Sequence, residues 1–329
     1  MRAAFLEQPN TIQLRDIDIP EPAAGEVRVK LRKVGVCGSD VHLFLGHRPL
    51  TNPLVIGHEG LGEIDAVGKG ISSERVGERV VVEPNIPCST CTFCFSGRGT
   101  ICPHKRTIGL TEAGCFAEYV VLPADFAWSI PAEVSDADAV TIEPTAAGVH
   151  ALSISSAKPK DAIAVIGLGA IGLLLAHVAL SLGYKVYVTE INDGKLRLAE
   201  SMGAVSVASE KLKAVWADAD VVSIFECAGA VTTVNMALEN APRGSEVILL
   251  GLSSGKATFQ PLQVVREGIR ILPSLIYDHP QDFKRTLELI VTNTIKPGRF
   301  ISKYLPLSEL QHALELASEG TEPKIVINI

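Results

Sequence analysis

The sequence predicts an α/β protein: a doubly wound parallel sheet together with a β-rich domain. Three observations carry this. A chain of 329 residues is long enough for about two domains. Its first half breaks into short apolar stretches punctuated by glycine and proline. Its middle, from about 146 to 285, alternates strand-like and helix-like patterns. The expected divisions are therefore 1–145 and 146–285, followed by a tail.

Taken in order, 12–15, 26–31, 60–67, Arg79–Val82 and 118–122 read as strands, with valine, isoleucine and leucine between turn residues. The alternating part begins with the apolar run Ala162–Ile166, which reads as a buried strand, and a helix at 173–182. A strand at 185–190 follows, then a helix at 194–202, a strand at 221–225, a helix at 232–239 and a strand at 246–250. The tail offers a helical stretch near 308–318 and a closing strand at 324–329. No internal repeat and no low-complexity linker is visible.

Between the first strand and helix of the middle part lie Gly167, Leu168, Gly169, Ala170, Ile171 and Gly172, a G-x-G-x-x-G run. In a dinucleotide site the first glycine permits a tight turn, the second lets the backbone approach a pyrophosphate, and the third lets helix and strand pack closely. The helix start offers free N–H groups to the phosphates. The motif is weak alone, so its context decides. The strand at 185–190 ends in Glu190, 18 residues beyond Gly172, where a carboxylate can accept hydrogen bonds from the adenosine ribose. Residues 162–182 carry no charge and are long enough to span a membrane. The three spaced glycines and the charged strand that follows argue against a span.

A hydrophobic content of 47% and a charged content of 20% describe a globular protein with ample core. The net charge of -7 offers no attraction to nucleic acid or to an anionic membrane, so neither is an expected partner. No long apolar segment precedes Glu7, so no secretory signal is visible and a cytoplasmic location is expected. In that setting, seven cysteines point to metal or catalysis before disulfides.

Four of them, Cys88, Cys91, Cys94 and Cys102, form C-x2-C-x2-C-x7-C in a loop with Pro87, Gly97, Gly99 and Pro103. Four thiolates from one loop match a closed structural zinc site; an iron–sulfur cluster and unliganded thiols are the alternatives. The acidic balance disfavours a nucleic-acid zinc ribbon. A second set is more dispersed. Cys37 and His58 both follow strand-like stretches, and Glu143 stands just before the alternating part. A thiolate, an imidazole and a carboxylate, with one position left open, make up a catalytic zinc site. Spacing alone leaves each of these residues open to a structural reading.

G-V-C-G-S-D-V-H at 35–42, G-H-E-G at 57–60, the four-cysteine loop, Glu143-Pro144 and the glycine motif occur in an order that resembles the zinc-dependent medium-chain alcohol and polyol dehydrogenases. The likeness covers essentially the whole chain and is nearest to the sorbitol and sugar-alcohol branch. It implies a GroES-like catalytic domain at 1–145, to which 286–329 return, and a Rossmann domain at 146–285. It implies one catalytic and one structural zinc, NAD, and a dimer or tetramer. Carried over by residue, Cys37 and His58 are zinc ligands, Glu59 ligates or stands behind the metal, and Glu143 ligates directly or through water. Ser39 hydrogen-bonds the substrate oxygen, His42 passes its proton outward, and Asp40 orients His58. Lys324 takes the place of a basic residue near the cofactor pyrophosphate and Glu59. Leu43 stands where the sorbitol enzymes have a tyrosine, so sorbitol itself is not implied.

The resulting expectation is a zinc-dependent oxidoreductase that exchanges hydride between a secondary alcohol and NAD. The substrate class is a sugar alcohol, another polyol or a sugar acid. Glu190 should favour NAD by repelling a 2′-phosphate, with Lys195 and Arg197 close enough to counter it. Gly251, Leu252, Ser274 and Leu275 are expected at the nicotinamide end. A reductase of a keto sugar, sugar phosphate or aldehyde is the alternative, with Arg48 and Arg299 as phosphate partners. A non-catalytic dinucleotide- and zinc-binding protein is the reading from another class. Cys115 and Cys227 are expected in core, and His47, His104, His150 and His312 at the surface or in structural positions. Phe44 and Tyr277 are expected to wall the substrate site or simply to pack.

Overall fold

A computed structural model describes residues 1–49 and 52–329. The chain divides into two units, Met1–Glu143 with Lys296–Ile329, and Pro144–Ile295.

In the first unit the strand Glu26–Gly35 is the hub. Its alternating burial puts Val27, Val29 and Leu31 in the core and sends Lys30 outward. It pairs antiparallel with Glu59–Val67, with Tyr119–Pro123 and with Lys324–Asn328. Among the described residues these strands belong to a seven-stranded sheet, completed by Arg79–Val82, Ala127–Ser129 and Ile301–Pro306. A three-stranded sheet of Arg2–Gln8, Thr11–Asp16 and Leu54–Val55 shares the apolar core, together with Leu310 and Leu314 of the helix Leu310–Ser318. Register matters most here. Gly35 lies opposite Glu59 on one side and Val326 on the other. Sites that begin 23 and 288 residues away from Val36 in the chain are therefore neighbours at the end of this strand.

The second unit is a parallel sheet in the order Val205–Ser206, Lys185–Thr189, Ala162–Ile166, Val221–Glu226, Glu246–Leu249 and Arg270–Pro273. Numbered within the unit this is 3-2-1-4-5-6, the order of the Rossmann fold, whose ligands bind where the winding reverses, beside strand 1. Gly167 directly follows that strand. The helix after it, Ala170–Ser181, has 12 residues. Among the described residues no helix is long and apolar enough to cross a membrane.

The α/β class and both architectures agree with the sequence reading. The strand Lys324–Asn328 does return to the first unit, but the return begins at Lys296. The helix Gln281–Val291 runs across the position where the sequence placed the boundary, and its Phe283, Leu289 and Ile290 are buried within the second unit. A helix at Ile142–Ile154 and edge strands at Val205–Ser206 and Arg270–Pro273 were not expected.

Candidate active site

Cys37 is the cap of the short helix Gly38–Phe44, two residues beyond the end of the hub strand. Asp40, fully buried in the first turn, reaches back so that its Oδ2 accepts the Cys37 N–H at 2.9 Å. Its Oδ1 accepts the Gly57 N–H at 3.1 Å and lies 3.5 Å from His58 Nδ1. One carboxylate thus fixes both the cysteine turn and the histidine turn, and faces the imidazole at Nδ1. Gly57 itself has φ +91°, and a Cβ there would lie 2.7 Å from the Phe116 ring. The chain can turn to present His58 only because that position is glycine.

The register then brings in two more groups. Glu59 opens its strand opposite Gly35, where a Cβ would lie 1.9 Å from Glu59 Oε2. Lys324 opens the C-terminal strand; it is 3% exposed, donates to the Val36 carbonyl at 2.9 Å and forms an ion pair with Glu59. Ligand atoms of Cys37, His58 and Glu59 lie within 4.8 Å of one another. Ser39 Oγ is 3.5 Å from His58 Nε2, the nitrogen that Asp40 does not face.

The electrostatics call for a cation at this point. Burial works against a charged His58, but Asp40 and Cys37 outweigh it and hold its pKa well above the usual imidazole value. Burial likewise opposes a charged Lys324, and Glu59 and Cys37 overcome it. Glu59 Oε1 is buried without a hydrogen-bond partner. An unpaired carboxylate oxygen at zero exposure is costly, and a divalent ion among these three donors would satisfy it. Zinc fits the donor set.

Glu143, on the first turn of Ile142–Ile154, is 9% exposed and adds negative charge felt at Lys324 and Cys115. It lies outside the three-residue ligand cluster. Lys324 stands beside Glu59 as the resemblance implied, with its ammonium turned inward onto Glu59 and the Val36 carbonyl. Two neighbours escaped the sequence reading. Cys115 was assigned to core and is fully buried, but its Sγ lies 3.0 Å from where a Gly60 Cβ would be. Burial, with the carboxylates of this site, pushes its thiol up to about 12. His47 is exposed, as the surface reading expected, and its Nδ1 is 3.2 Å from Nδ1 of the exposed His42. Only the turn between them reveals this.

The four-cysteine loop closes on itself. Cys91 Sγ is 3.5 Å from Cys94 Sγ and 3.8 Å from Cys102 Sγ, and Cys88 Sγ is 3.9 Å from Cys94 Sγ. A tetrahedron with Zn–S bonds of about 2.3 Å has sulfur–sulfur edges of about 3.8 Å. A hydrogen bond from the Thr90 hydroxyl draws Cys88 down to about 5, whereas burial and the neighbouring sulfurs push Cys94 up to about 11. A tetrahedral zinc fits this loop.

In the second unit, Gly167 has φ +87°, and a Cβ on Gly172 would lie 2.0 Å from the Gly167 carbonyl oxygen. Gly169, by contrast, is exposed with nothing within 4 Å of where its Cβ would be. Turn, close packing and open approach thus fall on the three glycines as a dinucleotide site requires. Leu168 is fully buried and Ala170 and Ile171 half-buried. Glu190 Oε2 accepts the Leu168 N–H at 2.6 Å, and its Oε1 accepts those of Ile191 and Asn192 at 2.7 and 3.0 Å. The carboxylate is therefore already anchored by three backbone donors. Lys195, in the first turn of Asp193–Ser201, is buried, and Arg197 is exposed. Leu252 is 77% exposed, Ser274 is buried and Leu275 is partly exposed.

Phe44 and Tyr277 are packing residues. Phe44 is 1% exposed in the first core, and Tyr277 meets Phe283 edge-on with centroids 5.0 Å apart. His150 is buried, with Nδ1 2.7 Å from Asp282 Oδ2, and ties Ile142–Ile154 to Gln281–Val291.

Comparison with known proteins gives the family. Residues 23–132 match the alcohol dehydrogenase GroES-like domain and residues 170–292 the zinc-binding dehydrogenase domain. An L-threonine 3-dehydrogenase of Bacillus subtilis (strain 168) is 32% identical over 329 residues, covering 95% of this chain and 94% of its own. The chain belongs to the zinc-dependent medium-chain dehydrogenase family. Other members of the family differ in substrate. The sorbitol dehydrogenase of the same Bacillus strain is 29% identical over 333 residues, with 96% and 93% coverage. The crystal structure of the rspB alcohol dehydrogenase of Escherichia coli CFT073, complexed with NADH, superposes with a TM-score of 0.94 at 31% identity, covering 100% of this chain and 99% of that one. This medium-chain dehydrogenase thus combines a GroES-like unit that carries the Cys37, His58 and Glu59 cluster with a Rossmann unit that carries the glycine motif.

Proposed function

We propose that this dehydrogenase reversibly oxidises a secondary alcohol of the polyol class with NAD. The observation that carries the reading is the convergence of Cys37, His58 and Glu59 within 4.8 Å, with the Ser39 hydroxyl 3.5 Å from His58 Nε2. When bound, zinc supplies a Lewis acid for an alcohol oxygen and NAD supplies the hydride acceptor. The chain's own residues do the rest. Cys37 and His58 would hold the ion, with Glu59 beside them and Glu143 near enough to contribute charge. Asp40 orients the His58 imidazole. Ser39 accepts a hydrogen bond from the substrate hydroxyl and passes its proton on, and His42 takes it outward.

The glycine loop and the start of Ala170–Ser181 hold the cofactor phosphates. Glu190, anchored by Leu168, Ile191 and Asn192, cannot swing aside for a 2′-phosphate, which supports NAD over NADP. The loop Cys88, Cys91, Cys94 and Cys102 holds a structural zinc that stabilises the fold without chemistry.

The test is a panel of polyols, sugar acids, threonine and simple secondary alcohols. Each is assayed with NAD and with NADP, alongside zinc content per chain. A polyol with the highest kcat/KM, NAD preferred and two zinc ions per chain are expected. Preference for an amino alcohol or for NADP would overturn the substrate or cofactor assignment respectively. Cys37→Ser should remain folded with one zinc and lose turnover.

A further inference from the structure

The helix Gly38–Phe44 ends in a turn that folds back on it. Leu43 and Phe44 are buried, which fixes the helix roll and leaves His42 facing out. Gly46 has φ +74°, and a Cβ there would lie 2.8 Å from Pro9 Cγ. Only glycine reverses the chain at this point. The reversal is pinned on both sides. Asn10 N–H donates to the Phe44 carbonyl at 2.7 Å, and the His42 carbonyl accepts from the N–H of His47 at 3.0 Å and of Arg48 at 3.4 Å. The outcome is that two exposed imidazoles stand together, Nδ1 to Nδ1 at 3.2 Å, with centroids 5.5 Å apart. Arg48, exposed, follows His47 in the chain.

An Nδ1–Nδ1 contact at this distance is a hydrogen bond only if one ring carries its proton on Nδ1 and the other does not. When both rings are neutral their tautomers are therefore coupled, and each ring's Nε2 state is opposite to the other's. If His42 Nδ1–H donates, His42 Nε2 is a bare acceptor and His47 carries its proton on Nε2.

We propose that His42 and His47 form a two-imidazole proton wire, with His47 as the exit. A proton arrives at His42 Nε2. The His42 Nδ1 proton crosses the 3.2 Å bond to His47 Nδ1, and the His47 Nε2 proton passes to water. One proton enters and one leaves, no electrons move, and the pair is neutral before and after. The hydrogen bond has reversed direction, with His47 now the donor. Carbonyl reduction runs the wire backwards, and exchange with water resets it. His47 touches neither substrate nor ion, so it acts through His42 as a positioning and relay residue.

This inference rests on the alcohol-oxidation reading, and its test separates the two. His47→Ala and His47→Asn are compared with the native enzyme; asparagine retains a hydrogen-bond partner for His42 but cannot relay. Both variants should bind NAD with unchanged affinity. Both should lose kcat, by up to about 10²-fold, the lower range for loss of a general acid–base. Added imidazole should restore His47→Ala, and the pH profile of kcat should become buffer-dependent. Native kcat in His47→Ala, or native kcat in His47→Asn beside a slow His47→Ala, would overturn the wire. Independently of turnover, ¹⁵N-histidine NMR of the zinc-loaded enzyme should show opposite tautomers for the two rings, and His47→Ala should shift both ring nitrogens of His42. Two rings of the same tautomer would overturn the pairing. If no alcohol is oxidised by the native enzyme, the alcohol reading fails, and the NMR result alone then decides the pairing.

Discussion

Replacing Lys324 with methionine removes one partner of a fully buried ion pair. The side chains of Lys324 and Glu59 are 2% and 0% exposed, so water cannot compensate the carboxylate that remains. The Val36 carbonyl also loses its 2.9 Å donor. Breaking a buried pair from one side costs about 3–5 kcal/mol. At about 2–4 °C per kcal/mol for a unit of this size, the unfolding transition of the first unit in zinc-stripped protein should fall by about 6–20 °C. Adding Glu59→Gln to Lys324→Met removes the stranded charge, so the double variant should recover most of the loss. The effect should be flat from pH 6 to 10. Lys324 has a pKa raised above its usual 10.5, so its stabilisation is present below that value and is lost only as pH rises through the higher folded one. Scanning calorimetry of the four proteins of this cycle, with and without zinc, measures the coupling. A Lys324→Met transition within a degree of native, or a double variant no better than the single, would refute the argument that the pair is buried and mutually dependent.

Three other outcomes follow from the same geometry. Gly35→Ala places a Cβ against Glu59 Oε2, so it should cost about 1–3 kcal/mol and reduce zinc from two to one per chain, read by denaturation and metal analysis. After chelation, Cys88, drawn down to about 5, should react with a thiol reagent at pH 8. Cys115, held up to about 12, and Cys227, also raised by burial, should not react until the protein unfolds. Mass spectrometry of the labelled peptides would count them. Glu190→Ser removes both the charge and the acceptor for Leu168, and should raise the NADP-to-NAD ratio of kcat/KM by about 10–100-fold, the scale of a charged hydrogen bond.

What could be read from the sequence was what local chemistry encodes. The glycine motif, the four-cysteine loop and the apolar strand Ala162–Ile166 each lie within a few residues, and their spacing has a direct physical meaning. The strands of the first unit announced themselves by valine and isoleucine between glycines. The helix Ile142–Ile154 did not, because a helix buried on nearly every side has no polar face and so no 3.6-residue contrast. The edge strands Val205–Ser206 and Arg270–Pro273 are too short to show a period.

At the site, Cys37, His58 and the place of Lys324 near Glu59 could be named from motif and resemblance, but the bond from Lys324 to the Val36 carbonyl depends on a strand register set 288 residues away. The pairing of His47 with His42 depends on a glycine reversal that no pattern of hydrophobicity records. The Asp40 side chain looked like an orienting partner for one histidine. The fold also uses it to cap the cysteine turn.

The first unit is interrupted, and the interruption has a temporal side. Residues 144–295 form the second unit without a break, whereas the first must wait for 296–329 before Lys324 can take its place beside Glu59. During synthesis the inserted module can fold as soon as it clears the ribosome, although it is encoded second. The module around it holds an unfinished sheet edge, and an uncompensated carboxylate, until the later segment emerges. A chain stalled before residue 324 would hold Glu59 without the ammonium that offsets its charge in the finished fold.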